Sequence, residues 1–157
     1  MQDNLTAVGS VVTAAGVVFA AWQLKQAAAH ARTDFEDDLS REYRELSRKI
    51  PTAALLGHEV TDGEFAKAFP ALFQYVDLTN EQVTLRMNGR VRKATWSDWS
   101  EGIASNLTRP AFTRAWSKIK AESSGFAELR RLERTGFKDD PRKWTPWSKR
   151  AIQWLSV

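Results

Sequence analysis

Residues 4–24 read NLTAVGSVVTAAGVVFAAWQL and contain no Asp, Glu, Lys or Arg. A helix of this length extends about 31 Å, close to the thickness of the hydrocarbon core of a bilayer. We therefore expect residues 1–24 to form an N-terminal transmembrane helix. Two alternatives stay open. One is a buried core helix of a soluble domain, because Ala and Gly make the run only moderately apolar. The other is a secretory signal peptide, although no basic residue precedes the run.

The residues at the end of this run predict its orientation. Trp22 lies at the C-terminal edge, where an aromatic side chain anchors a helix at the membrane interface, and Lys25 and Arg32 follow it. Basic residues favour the cytoplasmic side of a membrane. We therefore expect a location in the inner (cytoplasmic) membrane, with membrane lipid as a partner and the C-terminal domain in the cytoplasm.

Small residues recur along the predicted span at helical spacing. Four of them lie near one helix face, separated by four, three and four positions: Gly9, Thr13, Gly16 and Ala20. Small side chains let helices approach closely in lipid, so this face predicts packing between spans and a homo-oligomer. The alternative is that weakly apolar spans are simply rich in Ala and Gly.

Residues 25–50 continue with an amphipathic helical period. Apolar side chains recur every three or four positions between charged ones, at Phe35, Leu39, Tyr43, Leu46 and Ile50. Pro51 disfavours helical geometry at the residue before it. We expect a stalk helix that ends at residue 50, or one that is interrupted at the acidic run 34–38.

Residues 51–136 carry helix start and stop signals. The starts are the capping-box pair Thr61 and Glu64, Pro70, which opens or kinks a helix, Thr95 and Pro110; the stops are Gly89, Gly125 and Gly136. No strand alternation of convincing length and no internal repeat occurs. The expected fold is all-α: a transmembrane helix and then a cytoplasmic bundle of about four to five helices, with Trp96, Trp99 and Trp116 in its core.

Residues 137–157 differ in character, because they are basic and rich in Trp. A helix that starts at Thr145 and Pro146 places Trp147 and Trp154 on one face, away from the basic side chains. Such a helix can lie in the membrane interface, with both tryptophans as anchors. Closing the bundle core or a subunit interface is the alternative role.

Composition excludes several classes of chemistry. The chain has no Cys and only two His, His30 and His58, which are far apart and outside any triad or metal-ligand pattern. We expect no cofactor and no metal. Residues 1–85 hold 7 Lys and Arg against 12 Asp and Glu, whereas residues 86–157 hold 16 against 7. The basic second half allows nucleic-acid binding but does not indicate it.

One group of polar residues stands out within an apolar helical segment: Asp77, Asn80, Glu81 and Arg86, with Arg90 in the loop that follows. Asp77, Asn80 and Glu81 share one helical neighbourhood beside core positions. We expect a polar network that locks the bundle or, alternatively, a ligand or partner site. A third interpretation is acid and base catalysis by Glu81. We do not adopt it, and we expect no catalytic residue.

Much of residues 5–133 resembles a group of small bacterial single-span membrane proteins. The resemblance is carried by the run Trp22–Gln26, by the run Tyr75–Arg86, and by Gly89, Arg90, Trp96, Trp99, Gly102, Ile103, Asn106, Leu107, Arg109, Pro110, Ala111, Phe112, Ala115, Trp116 and the run Phe126–Arg130. It implies an apolar N-terminal helix followed by a helical cytoplasmic domain, and it implies no particular reaction.

The layout is also similar to that of the pore-forming membrane accessory proteins of RNA-targeting CRISPR systems. Those proteins carry helical domains related to the HEPN nuclease fold. Neither His30 nor His58 follows an Arg at the spacing of the HEPN ribonuclease signature, which disfavours a nuclease. The resemblance is one of layout and is an analogy.

The sequence thus predicts a non-enzymatic, oligomeric single-span inner-membrane protein with a cytoplasmic interaction domain. It would act as a membrane effector or accessory, with pore formation and antiviral defence against phage suggested by the resemblance, and with a protein partner also open. The alternatives are a soluble helical binding module and an RNA-acting, HEPN-like protein that uses the basic half.

Overall fold

The computed structural model describes the backbone of residues 2–144 and the side chains of residues 17 and 19–144. Its elements are α1 (Gln2–Ser47), α2 (Thr52–Leu55), α3 (Asp62–Met87), α4 (Lys93–Leu107), α5 (Pro110–Glu122), α6 (Ala127–Arg134) and a 3₁₀ turn (Pro141–Trp144). No strand occurs in this range, so the predicted all-α class is confirmed. The chain divides into two compact units, Met1–Asp38 and Leu39–Val157, and we call residues 39–144 the helical domain.

Helix α1 continues through the acidic run 34–38, so the predicted alternative of a break there is wrong. It ends at Ser47, three residues before the predicted end. The last turn tightens, because Lys49 N–H donates to the Leu46 carbonyl at 3.0 Å and Ile50 N–H to the Ser47 carbonyl at 3.2 Å. This tightened turn buries Ile50 directly before Pro51.

Over the described residues, no helix combines the length and the apolar character needed to cross a membrane. Residues 4–16 and 18 of the predicted span, and therefore Gly9, Thr13 and Gly16, lie outside the described side chains. Ala20 and Trp22 are described and exposed, and the Trp22 ring stacks on Phe19 with 5.9 Å between ring centroids. The transmembrane helix therefore stays a prediction.

The capping box predicted at the start of α3 is confirmed. Thr61 Oγ1 accepts from Glu64 N–H at 3.3 Å, and Glu64 Oε2 accepts from Thr61 N–H at 2.9 Å. Pro70 does not open a new helix, because it lies inside the single helix Asp62–Met87; the kink at Pro70 stays a prediction. Pro70 and Ala66 are both exposed, so water can satisfy the carbonyl that Pro leaves without a partner.

The other boundaries follow the predicted signals with small shifts. Helix α4 begins at Lys93, two residues before the predicted cap at Thr95, and Pro110 begins α5 as predicted. Gly89 and Gly136 follow α3 and α6 with φ of 76° and 64°. The positive φ is the reason that this position favours glycine, because the atoms that a Cβ at Gly89 would meet belong to the end of the flexible Arg142 side chain, which can move.

Helix α3 is the centre of the helical domain and packs against α5, α6 and the 3₁₀ turn. Its fully buried side chains include Leu72, Val76 and Val83. Trp96 and Trp116 are 4% and 3% exposed, which confirms them as core residues, whereas Trp99 is half-buried. The prediction that Trp99 belongs to the core is therefore wrong, and this residue lines a cavity that is described below.

Candidate functional site

A cavity of about 330 Å³ opens in the helical domain among the end of α1, the middle of α3 and α4. Its walls combine three aromatic rings with a small number of polar side chains: Tyr43, Tyr75, Trp99, Ser40, Arg44, Gln82, Asp98 and Asn106, with Gly102 and Ile103. A concave site of mostly apolar lining with a few convergent polar groups is typical of small-molecule binding. This cavity is the candidate functional site.

Two tyrosines and an asparagine form a hydrogen-bonded wall. Asn106 Nδ2 donates to the Tyr75 hydroxyl at 3.1 Å and to the Tyr43 hydroxyl at 3.4 Å. Burial raises the pKa of Tyr75 to about 12, although its hydrogen bond with Asn106 acts in the opposite direction. Tyr75 therefore stays protonated at neutral pH. Each hydroxyl accepts from Asn106 and keeps its own proton for donation.

The Tyr75 ring is held in place from both sides. It packs edge to face against Phe112, with 5.0 Å between centroids, and lies tilted against Tyr43 at 6.0 Å. Phe112 is fully buried on α5, so the ring behind the cavity wall belongs to the domain core. The wall is therefore preformed and does not depend on a ligand for its position.

Gln82 is the unusual member of the lining. Its side chain is 7% exposed, and its carboxamide has no hydrogen-bond partner among the described residues. A carboxamide carries two donors and one acceptor, and burying these groups without partners costs about 1 to 3 kcal/mol. The hydrogen-bond partners of this buried amide must therefore come from within the cavity, from water or from a ligand.

The mouth of the cavity is charged but balanced. Arg44 on α1 and Asp98 on α4 are exposed lining residues of opposite sign, and Trp99, which follows Asp98 in sequence, is half-buried. Asp98 is exposed to water, which leaves the buried part of the lining without an ionised group. The chemistry that the cavity offers is therefore hydrogen bonding and ring stacking, rather than proton transfer by a buried acid or base.

The structure separates the residues of the predicted polar network. Asp77 and Glu81 are exposed and line a second pocket, of about 350 Å³, with Glu42, Glu45 and Lys49, so neither belongs to a buried polar network. Asn80 acts elsewhere: its Oδ1 accepts from the Leu129 backbone N–H at 3.1 Å, in the first turn of α6. The α6 N-cap residue, Phe126, has a φ of 62° and supplies no side-chain cap.

Arg86 and Arg90 differ in their exposure to solvent. Arg86 is buried, donates to both carboxylate oxygens of Asp140, and donates to the Val91 carbonyl at 2.9 Å. Arg90 is exposed. Burial alone would raise the pKa of Asp140, but hydrogen bonds from Arg86 and the Arg142 backbone N–H hold that pKa below its ordinary value. Arg86 is thus committed to a structural clamp and is not available to a partner.

The remaining residues of interest in the sequence are the predicted tryptophan anchors of residues 137–157 and the two histidines. Trp147 and Trp154, the predicted interface anchors, lie outside the described residues. Within the described part of the chain, no group of three His, Asp or Glu side chains could hold a metal ion, and both His30 and His58 are exposed.

Tyr75 and Gln82 were not predicted as site residues from the sequence, although the helical period of α3 indicates that both are buried. The buried face of α3 runs through Tyr75, Thr79, Gln82 and Arg86, at spacings of four, three and four. Thr79 and Gln82 on this buried stripe are therefore only two and one positions away from the exposed Glu81. Gln82 lies seven positions after the buried Tyr75 and four after the buried Leu78, so tracing the helical period from these two residues would have selected it as a buried polar residue.

No family model, curated protein or solved structure matches this chain.

Proposed function

We propose that this chain is a membrane-anchored helical binding module, with residues 4–24 in the inner membrane and the helical domain in the cytoplasm. The single observation that carries the binding role is the preformed cavity of about 330 Å³ with its aromatic and carboxamide lining. The anchor is supported by the charge-free run, by Trp22 at its edge, and by Lys25 and Arg32 after it.

The cavity supports binding without chemical turnover. With a pKa of about 12, Tyr75 is not a base at neutral pH, and the carboxamides of Gln82 and Asn106 do not titrate. Asp98 is exposed, so its surroundings give it no reason to act as a general acid. These groups orient a ligand by hydrogen bonds, and we therefore propose a non-enzymatic module.

The wider role rests on the resemblance alone. We extend the proposal to self-association through the face that holds Gly9, Thr13, Gly16 and Ala20. In this view the protein is a membrane effector or accessory, and pore formation in defence against phage is the specific role that the similar layout suggests.

The anchor is tested by fractionation of the full-length chain. Val12→Arg with Val17→Arg places two charges in the proposed span, and these charges should move the protein from the carbonate-resistant membrane fraction to the soluble fraction. The matched control is Ala27→Arg with Ala29→Arg, which adds the same charges after the run. A reporter fused to the C-terminus should show cytoplasmic activity. Wild-type protein in the soluble fraction would leave the soluble binding module as the better description.

The RNA-acting alternative has less support, because basic side chains of the second half are engaged within the domain. Lys120 pairs with Glu133 at 2.7 Å. Arg130 donates to the carbonyls of Gly125 and Ser123, and Arg86 is clamped by Asp140. RNA binding by this half would fall steeply with salt, so a salt titration with single-stranded RNA tests the alternative directly.

A further inference from the structure

The unpartnered carboxamide of Gln82 restricts the chemistry of a ligand. A primary amide presents one acceptor and a donor side by side, and it pairs best with a molecule that presents a donor and an acceptor on one planar edge. Because Gln82 is 7% exposed, that edge must reach a buried part of the cavity. An ordinary hydrocarbon would leave the amide as unsatisfied as before.

The aromatic lining of the cavity restricts the shape of the ligand. Tyr43, Tyr75 and Trp99 present three rings to one cavity, and flat ligands gain affinity by stacking on such rings. The half-buried Trp99 lies on the more open side, whereas Tyr75 belongs to the buried wall. A planar ring system matches this lining better than a branched aliphatic chain does.

The volume and the charge of the cavity restrict the ligand further. A volume of about 330 Å³ lies at the lower end of small-molecule sites, which suits one or two fused rings with few substituents. The charged lining residues, Arg44 and Asp98, are exposed and opposite in sign. The buried part of the ligand must therefore be uncharged, since no buried counter-ion awaits it.

We infer that this cavity binds an uncharged planar heteroaromatic ring of nucleobase type, and that Gln82 recognises its paired donor and acceptor edge. The hydroxyls of Tyr43 and Tyr75, which both accept from Asn106, donate to further acceptors of the ring. This inference rests on the binding role proposed above and adds the ligand class and the residue that selects it.

The test measures binding to the full-length protein in mild-detergent micelles, by calorimetry and by ligand-observed NMR. The probes are adenine, cytosine, guanine and uracil with their nucleosides, and indole serves as a ring of similar shape without the paired edge. At least one base or nucleoside should bind more tightly than indole. Gln82→Leu should weaken that binding about tenfold or more and should leave indole binding equal or tighter.

Two further variants make the result specific. Gln74→Leu removes an exposed carboxamide from the same helix outside the cavity, and base binding should be unchanged. Trp99→Ala removes a stacking ring and should weaken both base and indole. If Gln82→Leu fails to fold, Trp99→Ala and competition between the base and indole still decide whether both occupy this cavity.

The outcomes separate the inference from the proposed function. Indole binding without any base binding at millimolar concentration would overturn the inference and would leave a binding module. Base binding that survives Gln82→Leu, or RNA binding that exceeds base binding and ignores Gln82→Leu, would also overturn it. A chain that is recovered in the soluble fraction but binds a base through Gln82 would refute the anchor and support the inference.

Discussion

The guanidinium of Arg86 holds the carboxylate of Asp140 through two hydrogen bonds, Nε to Oδ1 at 2.8 Å and Nη2 to Oδ2 at 2.6 Å, across 54 positions of sequence. Its remaining nitrogen donates to the Val91 carbonyl at 2.9 Å. One side chain therefore joins the end of α3, the loop before α4 and the residue that precedes the 3₁₀ turn. Such bidentate pairs add geometric specificity as well as stability.

Asp140 makes the stability of the helical domain dependent on acid. Its folded-state pKa lies below the ordinary value of 3.8, so its stabilising effect is complete above that value and disappears as the pH falls through the lower folded-state value. Asp140→Asn should cost about 1 to 2 kcal/mol at pH 7, with a difference from wild type that shrinks below pH 3.8. Denaturant titrations across pH measure this, and the exposed Asp77→Asn is the control. A pH-independent difference would contradict the prediction.

Gln82→Leu should stabilise the protein. Leucine removes a buried carboxamide that has no partner among the described residues and keeps a side chain of similar volume, so we expect a gain of about 1 to 2 kcal/mol. Chemical denaturation of wild type, Gln82→Leu and the exposed control Gln74→Leu provides the comparison. A destabilised Gln82→Leu variant would mean that the amide is hydrogen-bonded in the apo protein.

Trp116→Ala should cost about 3 to 5 kcal/mol, because the residue is 3% exposed and fills the core. Trp116→Phe should cost about 1 to 2 kcal/mol, since it keeps a ring but removes the indole donor that contacts Glu133 at 3.0 Å. Lys120 still pairs with that carboxylate at 2.7 Å. Thermal and denaturant melts measure both variants, and an unchanged melt for Trp116→Ala would place this ring outside the core.

Asn80→Ala should cost about 1 kcal/mol, because the first turn of α6 loses the acceptor for the Leu129 N–H. Glu81→Gln changes an exposed neighbour and should alter stability by less than about 0.5 kcal/mol. Hydrogen exchange should show faster exchange at the α6 amides in Asn80→Ala alone. A loss of function in Glu81→Gln at wild-type stability would instead give Glu81 a chemical or ligand role.

Gly9→Leu with Gly16→Leu should reduce self-association of the full-length protein without reducing membrane insertion. Added apolar volume favours insertion and prevents close approach of helices. Sizing in mild detergent measures the oligomer, and the control Ala7→Leu with Ala14→Leu places two leucines at other positions of the same run. A wild-type monomer across a wide concentration range would refute both the oligomer and the pore.

Local signals predicted the helical elements well where a single residue type decides the geometry. The Thr61 and Glu64 capping box, Pro110 at the start of α5 and Gly136 after α6 each have a direct backbone cause. The helix start predicted at Pro70 was wrong, because a proline is tolerated inside a helix where the freed carbonyl is exposed, and no local pattern reports that exposure.

The cavity was harder to predict because it depends on side chains that meet only in the folded domain. Asn106 contacts Tyr43 and Tyr75 over 63 and 31 positions of sequence. The polar residues near Asn80 were assigned to the wrong face, since a shift of one position moves a side chain by about 100° around a helix. Asp140 carried no local signal, and only the fold brings it to Arg86.

The contact between Asn80 and Leu129 also orders events during folding. Helix α6 has 8 residues, too few to persist alone in water, and it borrows a first-turn acceptor from a helix 49 positions earlier in the chain. We therefore expect α6 to become stable only after α3 has formed, which is a loop closure of high contact order. In the reverse direction, loss of this contact should make local opening of α6 more frequent, while α3 stays helical.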